Sequence, residues 1–361
     1  MTNARLLNRP EDFKRLGINP EKVEVWEDRR RVSSPAPNNS EWWYFDSILD
    51  DGSTAVIQWF TKSGANIAKA GDHPAIAVKI TAPDGTRFQN TFKFKSDDTS
   101  YGEDQCDLRF GANTCKGDLK TYHIHMEPAD GLGSDLILES MTTPYRPSTG
   151  YITFGSDEEF YTWLCVVPKG KVSGTLTYGG ETHQVTGFGY HDHQWFGVNF
   201  QKKFNHWVWA RQSFDDYTML TFDMVTNKES GYVRFPIVFI EDKDGNIVFE
   251  NTQNVTCNVL DEYHDEASDK DYPKSIRYIF ENDGKRVDYA LDFRKIIEAN
   301  GKNNIPFVAR MAIKAMGINP AYTRYLSNGT MKLTNGDEVI ERTGELIYEF
   351  MYPGETYKGH M

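Results

Sequence analysis

Lys171-Val172-Ser173-Gly174-Thr175-Leu176-Thr177-Tyr178, then Gly179-Gly180, then Thr182-His183-Gln184-Val185-Thr186-Gly187-Phe188 reads as two strands joined by a tight turn. The paired glycines supply the positive φ angles that a two-residue hairpin loop demands. The design recurs along the chain. Trp42–Leu49 and Thr54–Phe60 flank Asp51-Gly52, and Ala75–Thr81 and Arg87–Phe94 flank Pro83-Asp84-Gly85. Val233–Glu241 and Ile247–Asn251 flank Asp244-Gly245-Asn246, Ser275–Phe280 and Arg286–Phe293 flank Asp283-Gly284, and Gly329–Leu333 and Glu338–Arg342 flank Asn335-Gly336. Hairpins spread this evenly predict an all-β protein of barrels or sandwiches. Helix signals are few: a short turn over Pro10–Leu16, and Pro306–Met316, opened by a proline and stopped by Gly317 and Pro320.

The third hairpin runs directly into Gly189-Tyr190-His191-Asp192-His193-Gln194-Trp195. Alternation in an extended strand puts Tyr190, Asp192 and Gln194 on one face and His191, His193 and Trp195 on the other. A titratable imidazole beside flat rings suits a site that moves protons next to an apolar ligand. Glu41-Trp42-Trp43-Tyr44-Phe45-Asp46 has the same character, and its consecutive tryptophans must point to opposite faces. In His206-Trp207-Val208-Trp209 the two tryptophans share a face, either lining a cavity or filling a core. His191-x-His193 and His123-x-His125 also match the spacing of paired zinc ligands on a strand, but no third ligand is suitably spaced. The acidic run Asp261–Asp271 is expected to be a solvated loop.

With 361 residues the chain can form two domains, and the boundary is expected just after Trp195, giving an N-terminal domain over 1–197 and a C-terminal one over 198–361. Aromatic residues make up 14% of the sequence, so the cores should be rich in rings. A net charge of -12 argues against nucleic acid and anionic membrane surfaces as partners and fits a neutral, apolar small molecule. No apolar run is long enough to cross a membrane as a helix, and the first fifteen residues lack the apolar core of a signal peptide. A cytoplasmic location is therefore expected. Cys106, Cys115, Cys165 and Cys257 lack Cys-x-x-Cys spacing and read as reduced thiols. The sequence leaves the oligomeric state open.

The two aromatic motifs, in this order, resemble those of the carotenoid 1,2-hydratase (hydroxyneurosporene synthase) superfamily, also called AttH-like or lipocalin-like. That group includes kievitone hydratases and fungal decalin-forming Diels–Alderases. Further matches are Pro168–Gly174, Thr221-Phe222-Asp223-Met224, Asn319-Pro320-Ala321-Tyr322 through Ser327, and Gly344–Glu349. The resemblance implies two lipocalin-like β-barrel or sandwich halves with a substrate cavity in or between them, and no cofactor or metal. It does not fix the reaction, since one scaffold hosts several chemistries. It also implies an acid–base role for Asp223, as the Asp of a Tyr-x-Asp strand, although Thr221 stands where the tyrosine would be.

Adding water to an unactivated alkene requires an acid, apolar walls and a guided water molecule. A carboxylic acid in a dry aromatic pocket has a raised pKa and can serve as the acid. The candidate catalytic residues are Asp223, His193, Asp192 and Tyr190. The candidate substrate-binding residues are Glu41, Trp43, Tyr44, Trp195, Trp207 and Trp209. The leading reading is a cofactor-independent hydratase, a lyase acting on an apolar isoprenoid or prenylated molecule. A cyclase of Diels–Alderase type that shapes a polyene needs no acid at all, and a lipocalin-like carrier needs only the apolar walls. No nucleophile elbow and no nucleotide-binding turn is present.

Overall fold

The computed structural model describes residues 4–32, 36–266, 268–300 and 320–353. The chain divides into two units: Leu6–Asn199, and Phe200–Met361 together with Met1–Arg5. They are called the N-terminal and C-terminal units below. Both are built from antiparallel strands, as the hairpin rhythm predicts, and all six hairpins form in register.

In the N-terminal unit the strands lie in the order Arg87–Lys93, Ala75–Thr81, Thr54–Phe60, Ser40–Leu49, Glu181–Phe196, Phe160–Tyr178, Leu132–Ser140, Thr121–Ala129, Asn113–Gly117, Cys106–Phe110 and Thr99–Tyr101. Strands far apart in this order nevertheless touch. The ring of Trp59 meets that of Phe110 at 5.1 Å, and Phe45 meets Tyr122 at 5.7 Å. Only a sheet curled around its own apolar face brings them together, which gives the lipocalin-like shape. The core enclosed includes Trp43, Trp59, Phe110, Tyr122, Leu164 and Trp195. Gly174 permits the tight packing of two long strands. Its φ is +132°, and a Cβ there would lie 2.0 Å from the carbonyl oxygen of Asp135.

The C-terminal unit repeats the plan with the strand order Ile247–Asn251, Arg234–Asp242, Tyr217–Thr226, Phe204–Ser213, Glu338–Tyr352, Ala321–Asn335, Lys285–Asn300, Lys270–Asn282 and Val255–Asp265. This sheet also curls. Asn251 donates to the carbonyl of Glu281 at 2.8 Å, and Asn282 donates to that of Glu250 at 2.8 Å, joining strands from opposite ends of the order. Tyrosines and phenylalanines fill the interior, among them Tyr272, Tyr278, Tyr289, Tyr325, Tyr348 and Phe350.

The short helix forms over Pro10–Leu16, with proline in its first turn, Glu11 and Asp12 at its positive end, and Gly17 closing it at φ 67°. The expected helix at Pro306–Met316 lies outside the described residues. One expectation is corrected: the acidic run from Asp261 is not a loop. Residues 261–265 continue the strand Val255–Asp265, paired with Lys270–Ser275. Charge alone misleads there because the strand is at the edge of its sheet, where carboxylates stay hydrated. Among the described residues no helix is long and apolar enough to cross a membrane.

Candidate active site

The two aromatic motifs pair side by side in the N-terminal unit, with His193 opposite Trp43, Asp192 opposite Tyr44 and Trp195 opposite Glu41. Opposed residues share a face. His191, His193 and Trp195 therefore turn into the core with Glu41, Trp43 and Phe45, and the indole of Trp43 stacks on the His193 ring at 4.5 Å. Here they meet a residue that strand reading did not single out. Asp28 ends the tight turn Val25–Asp28, which is held by the Glu24 N–H donating to Glu27 at 2.8 Å and by the buried ion pair of Glu27 with Arg146.

The carboxylate of Asp28 lies 3.2 Å from Nε2 of His191 and 3.1 Å from Nδ1 of His193, and accepts the Tyr122 hydroxyl at 2.5 Å. The other nitrogen of His193 is 2.7 Å from Glu41, which also accepts the backbone N–H groups of Arg31 and Val32. The other nitrogen of His191 faces the Tyr44 carbonyl at 3.0 Å. Both nitrogens of His191 and Nε2 of His193 thus have oxygen partners within hydrogen-bonding distance, while Nδ1 of His193 meets Asp28 as a charge contact only. Burial alone would raise the Asp28 carboxyl, but the two histidines outweigh it and hold it well below the usual range. Burial alone would lower His193, and Asp28 with Glu41 overcomes that and raises it. His191, His193, Glu41 and Asp28 are all buried. The cluster fastens the turn Val25–Asp28 to the sheet.

Tyr190, Asp192 and Gln194 occupy the opposite face of the same strand. The Asp192 carboxylate accepts from the Tyr190 hydroxyl at 2.8 Å, the Trp163 indole at 3.2 Å and the Gln194 amide at 3.2 Å. Burial pushes its pKa up to about 6, against the lowering effect of these three donors. Tyr44 shares this face and meets Tyr190 edge-on at 6.2 Å. Trp195, on the inner side, donates to Tyr151 at 3.0 Å and carries the Arg31 guanidinium over its ring at 4.9 Å.

Asp223 belongs to the C-terminal unit. Its strand pairs with Phe204–Ser213 so that Val208 opposes Asp223 and Trp209 opposes Phe222. Asp223 therefore turns inward with Val208 and His206. Trp207 and Trp209 turn to the other face, where Trp207 packs against Phe200, Phe204 and Phe222. The pairing brings neither of these tryptophans to the Asp223 side. What the curl of the sheet does bring there was not visible in the sequence. Tyr278, five places away in strand order, donates its hydroxyl to Oδ2 of Asp223 at 3.1 Å. Arg234, from the adjoining strand, places Nε 3.3 Å from Oδ1. Beyond that charge contact, Oδ1 is buried and accepts no hydrogen bond among the described residues.

These groups line a small cavity with Cys257 and His206, its remaining walls being Val208, Val259, Pro273, Ile276 and Phe350, and its free space is about that of one water molecule. Burial raises the Asp223 carboxyl above its usual value, while the charge of Arg234 and the hydrogen bond from Tyr278 pull part of the way back. Burial, helped by the Asp223 charge, pushes the Cys257 thiol up to about 12, so it stays protonated at neutral pH. The arrangement is a buried carboxyl whose Oδ1 takes no hydrogen bond among the described residues, beside walls that are more apolar than polar.

The AttH-like family profile matches residues 33–291. The chain belongs to the AttH-like family. No curated protein matches it. Among solved structures, this AttH-like chain is similar to an AttH-type protein from Nitrosomonas europaea at 14% identity and a TM-score of 0.62, covering 94% of this chain and 99% of that one. It is similar to CghA, crystallised with Sch210972, at 16% identity and a TM-score of 0.61, covering 93% and 98%. It is also similar to the kievitone hydratase of Nectria haematococca at 13% identity and a TM-score of 0.52, covering 92% and 96%. At such identities the likeness carries the fold alone.

Proposed function

We propose that this AttH-like protein is a hydro-lyase that adds water across a carbon–carbon double bond of an apolar isoprenoid or prenylated molecule, with Asp223 as the acid. The observation that carries the reading is the buried Asp223 carboxyl at the apolar cavity, with Oδ1 open for a proton. Protonated Oδ1 gives its proton to the less substituted alkene carbon. The π bond breaks, a C–H bond forms, and a tertiary cation is left. Water adds to the cation and loses a proton to the Asp223 carboxylate, which restores the acid. The faces of Phe350 and Tyr278 stabilise the cation by roughly 0.5–2 kcal/mol each. The sequence needs only an acid, a base and water, and one carboxyl serves as both.

Size sets a condition on the substrate. Ligand sites fill roughly 300–1,000 Å³, whereas the cavity beside Asp223 has room for about one water-sized group, so the branched end of a prenyl chain enters only when the lining side chains move apart. His193, Glu41 and Asp28 are read as holding the N-terminal scaffold. On this reading Asp192, Tyr190, Trp43, Tyr44, Trp195, Trp207 and Trp209 take no part in the proton transfer.

The test is turnover in ¹⁸O-labelled water with a panel of prenylated phenols and isoprenoid alkenes. The reading expects a product heavier than the substrate by one labelled water, with the label in a tertiary alcohol. A product isomeric with its substrate would replace this reading with the cyclase, and tight binding with no turnover of any panel member would replace it with the carrier.

A further inference from the structure

Position 221, two residues before the acid on the same strand face, is a buried threonine and offers Asp223 no phenol. The phenol that does reach Asp223 comes from Tyr278, on a different strand, and the guanidinium comes from Arg234. The two groups lie at different oxygens, Tyr278 donating to Oδ2 and the Arg234 charge standing 3.3 Å from Oδ1, so together they favour one rotation of the carboxyl about its Cβ–Cγ bond. We propose that Arg234 and Tyr278 are the positioning pair of Asp223. They aim Oδ1 into the cavity and stabilise the carboxylate that remains once the proton has been given away.

The reasoning rests on charge and geometry. A carboxyl this deeply buried, with no cation nearby, would hold its proton too tightly to release it. A fully solvated one would be ionised at neutral pH and have no proton to give. A cation held 3.3 Å from Oδ1, in a partly screened position with about a fifth of its side chain exposed, sets the acid between those limits. Tyr278 adds a neutral donor of smaller effect. Cys257 touches this group as well, and its thiol is neutral in the working range. His206 lines the same cavity, with its Nδ1 2.8 Å from the Asn205 amide oxygen. Among the described residues these four are the titratable or charged groups that line the cavity with Asp223.

The inference deepens the proposed function, yet its test needs no substrate. The full-length protein is prepared with ¹³C-labelled aspartate carboxyls, and the Asp223 resonance is assigned by its loss in Asp223→Asn. Its titration is then followed in wild type, Arg234→Gln, Arg234→Lys and Tyr278→Phe. An opposite charge within about 4–6 Å shifts a carboxyl by roughly 1–3 units. Arg234→Gln should therefore bind the Asp223 proton about tenfold tighter or more. Arg234→Lys keeps the charge and should stay within about threefold of wild type, and Tyr278→Phe should tighten the proton by a smaller factor than Arg234→Gln. Equal shifts in Arg234→Gln and Arg234→Lys would trace the effect to packing and overturn the proposal, as would a wild-type midpoint in Tyr278→Phe. If Arg234→Gln fails to fold, the other two variants decide. A normal titration shift with no labelled product from any substrate would sink the hydratase reading and leave the positioning pair standing. The converse result would do the opposite.

Discussion

At the scale of single residues, Asp223 separates chemistry from binding. Asparagine matches aspartic acid in shape and keeps an oxygen for Tyr278, but has no acidic proton to give. Asp223→Asn should lower kcat by roughly 10²–10⁴-fold, the usual contribution of general acid–base catalysis, with ligand affinity changed by less than about threefold in an equilibrium binding titration. Full activity in this variant would remove Asp223 from the chemistry. The resemblance to the carotenoid hydratases pointed to Asp223, in the strand Thr221-Phe222-Asp223, but strand and motif reading singled out none of Arg234, Tyr278 and Asp28. Arg234 reaches Asp223 from the adjoining strand, Tyr278 reaches it through the curl of the sheet, and Asp28 reaches His191 from the end of a turn, across 11, 55 and 163 positions. A separation that long carries no periodic signal. One hint was available: a lone Arg234 at the head of the otherwise apolar strand Phe235–Ile240 asks where its charge is compensated.

At the scale of elements, strand and turn chemistry was largely legible. Gly-Gly, Asp-Gly and Asn-Gly turns marked all six hairpins, and alternation assigned the faces of Tyr190 through Trp195. The lengths were underestimated. The last hairpin spans Ala321–Asn335 and Glu338–Tyr352, because side chains such as Arg324, Glu345 and Glu349 interrupt the apolar pattern without breaking the backbone ladder. Its two strands face each other with Gly329 opposite Gly344, and the buried Gln212 amide bridges them, donating to both carbonyls at 3.0 and 2.8 Å while accepting from Tyr289 at 3.1 Å. A Cβ on Gly329 would lie 2.2 Å from the Gln212 oxygen and 2.5 Å from a Leu346 methyl. Gly329→Ala should therefore cost about 1–3 kcal/mol, the range for overpacked interiors, read as a lower midpoint in urea. An unchanged midpoint would mean that the clasp yields freely.

At the scale of the whole molecule, three buried groups of the N-terminal unit set a dependence on pH. Asp28 is held below its usual 3.8, so the stability it contributes is present above that pH and is lost as pH falls through its lowered value. Asp192 is raised from 3.8 to about 6, so the folded state binds more protons in between and stability falls as pH rises across that window. His193 is raised above 6.5, so its contribution is complete below 6.5 and is lost as pH climbs through the raised value. Together they place the most stable pH of this unit at about 4, with a decline as pH rises toward 6 and a further one through the raised His193 value. Asp192→Asn should flatten the part of the decline between about 4 and 6 in a series of urea melts. A decline of unchanged slope would show that other groups dominate.

The order of strands in the C-terminal unit has one more consequence, which concerns covalent connectivity. Its strand Phe204–Ser213 lies against Glu338–Tyr352, with Trp207 opposite Met351, so the first and last strands of the unit are immediate neighbours. One strand spacing, about 4.8 Å, separates backbones that stand well over a hundred positions apart. The ladders therefore do not depend on where this unit is opened. A circular permutant that links residue 352 to residue 204 through a short glycine-rich bridge, and is cut at the exposed Asp283-Gly284 turn, would keep every one of them. In this unit the placing of Arg234 and Tyr278 around Asp223 is a property of the sheet, independent of the order in which the chain is read.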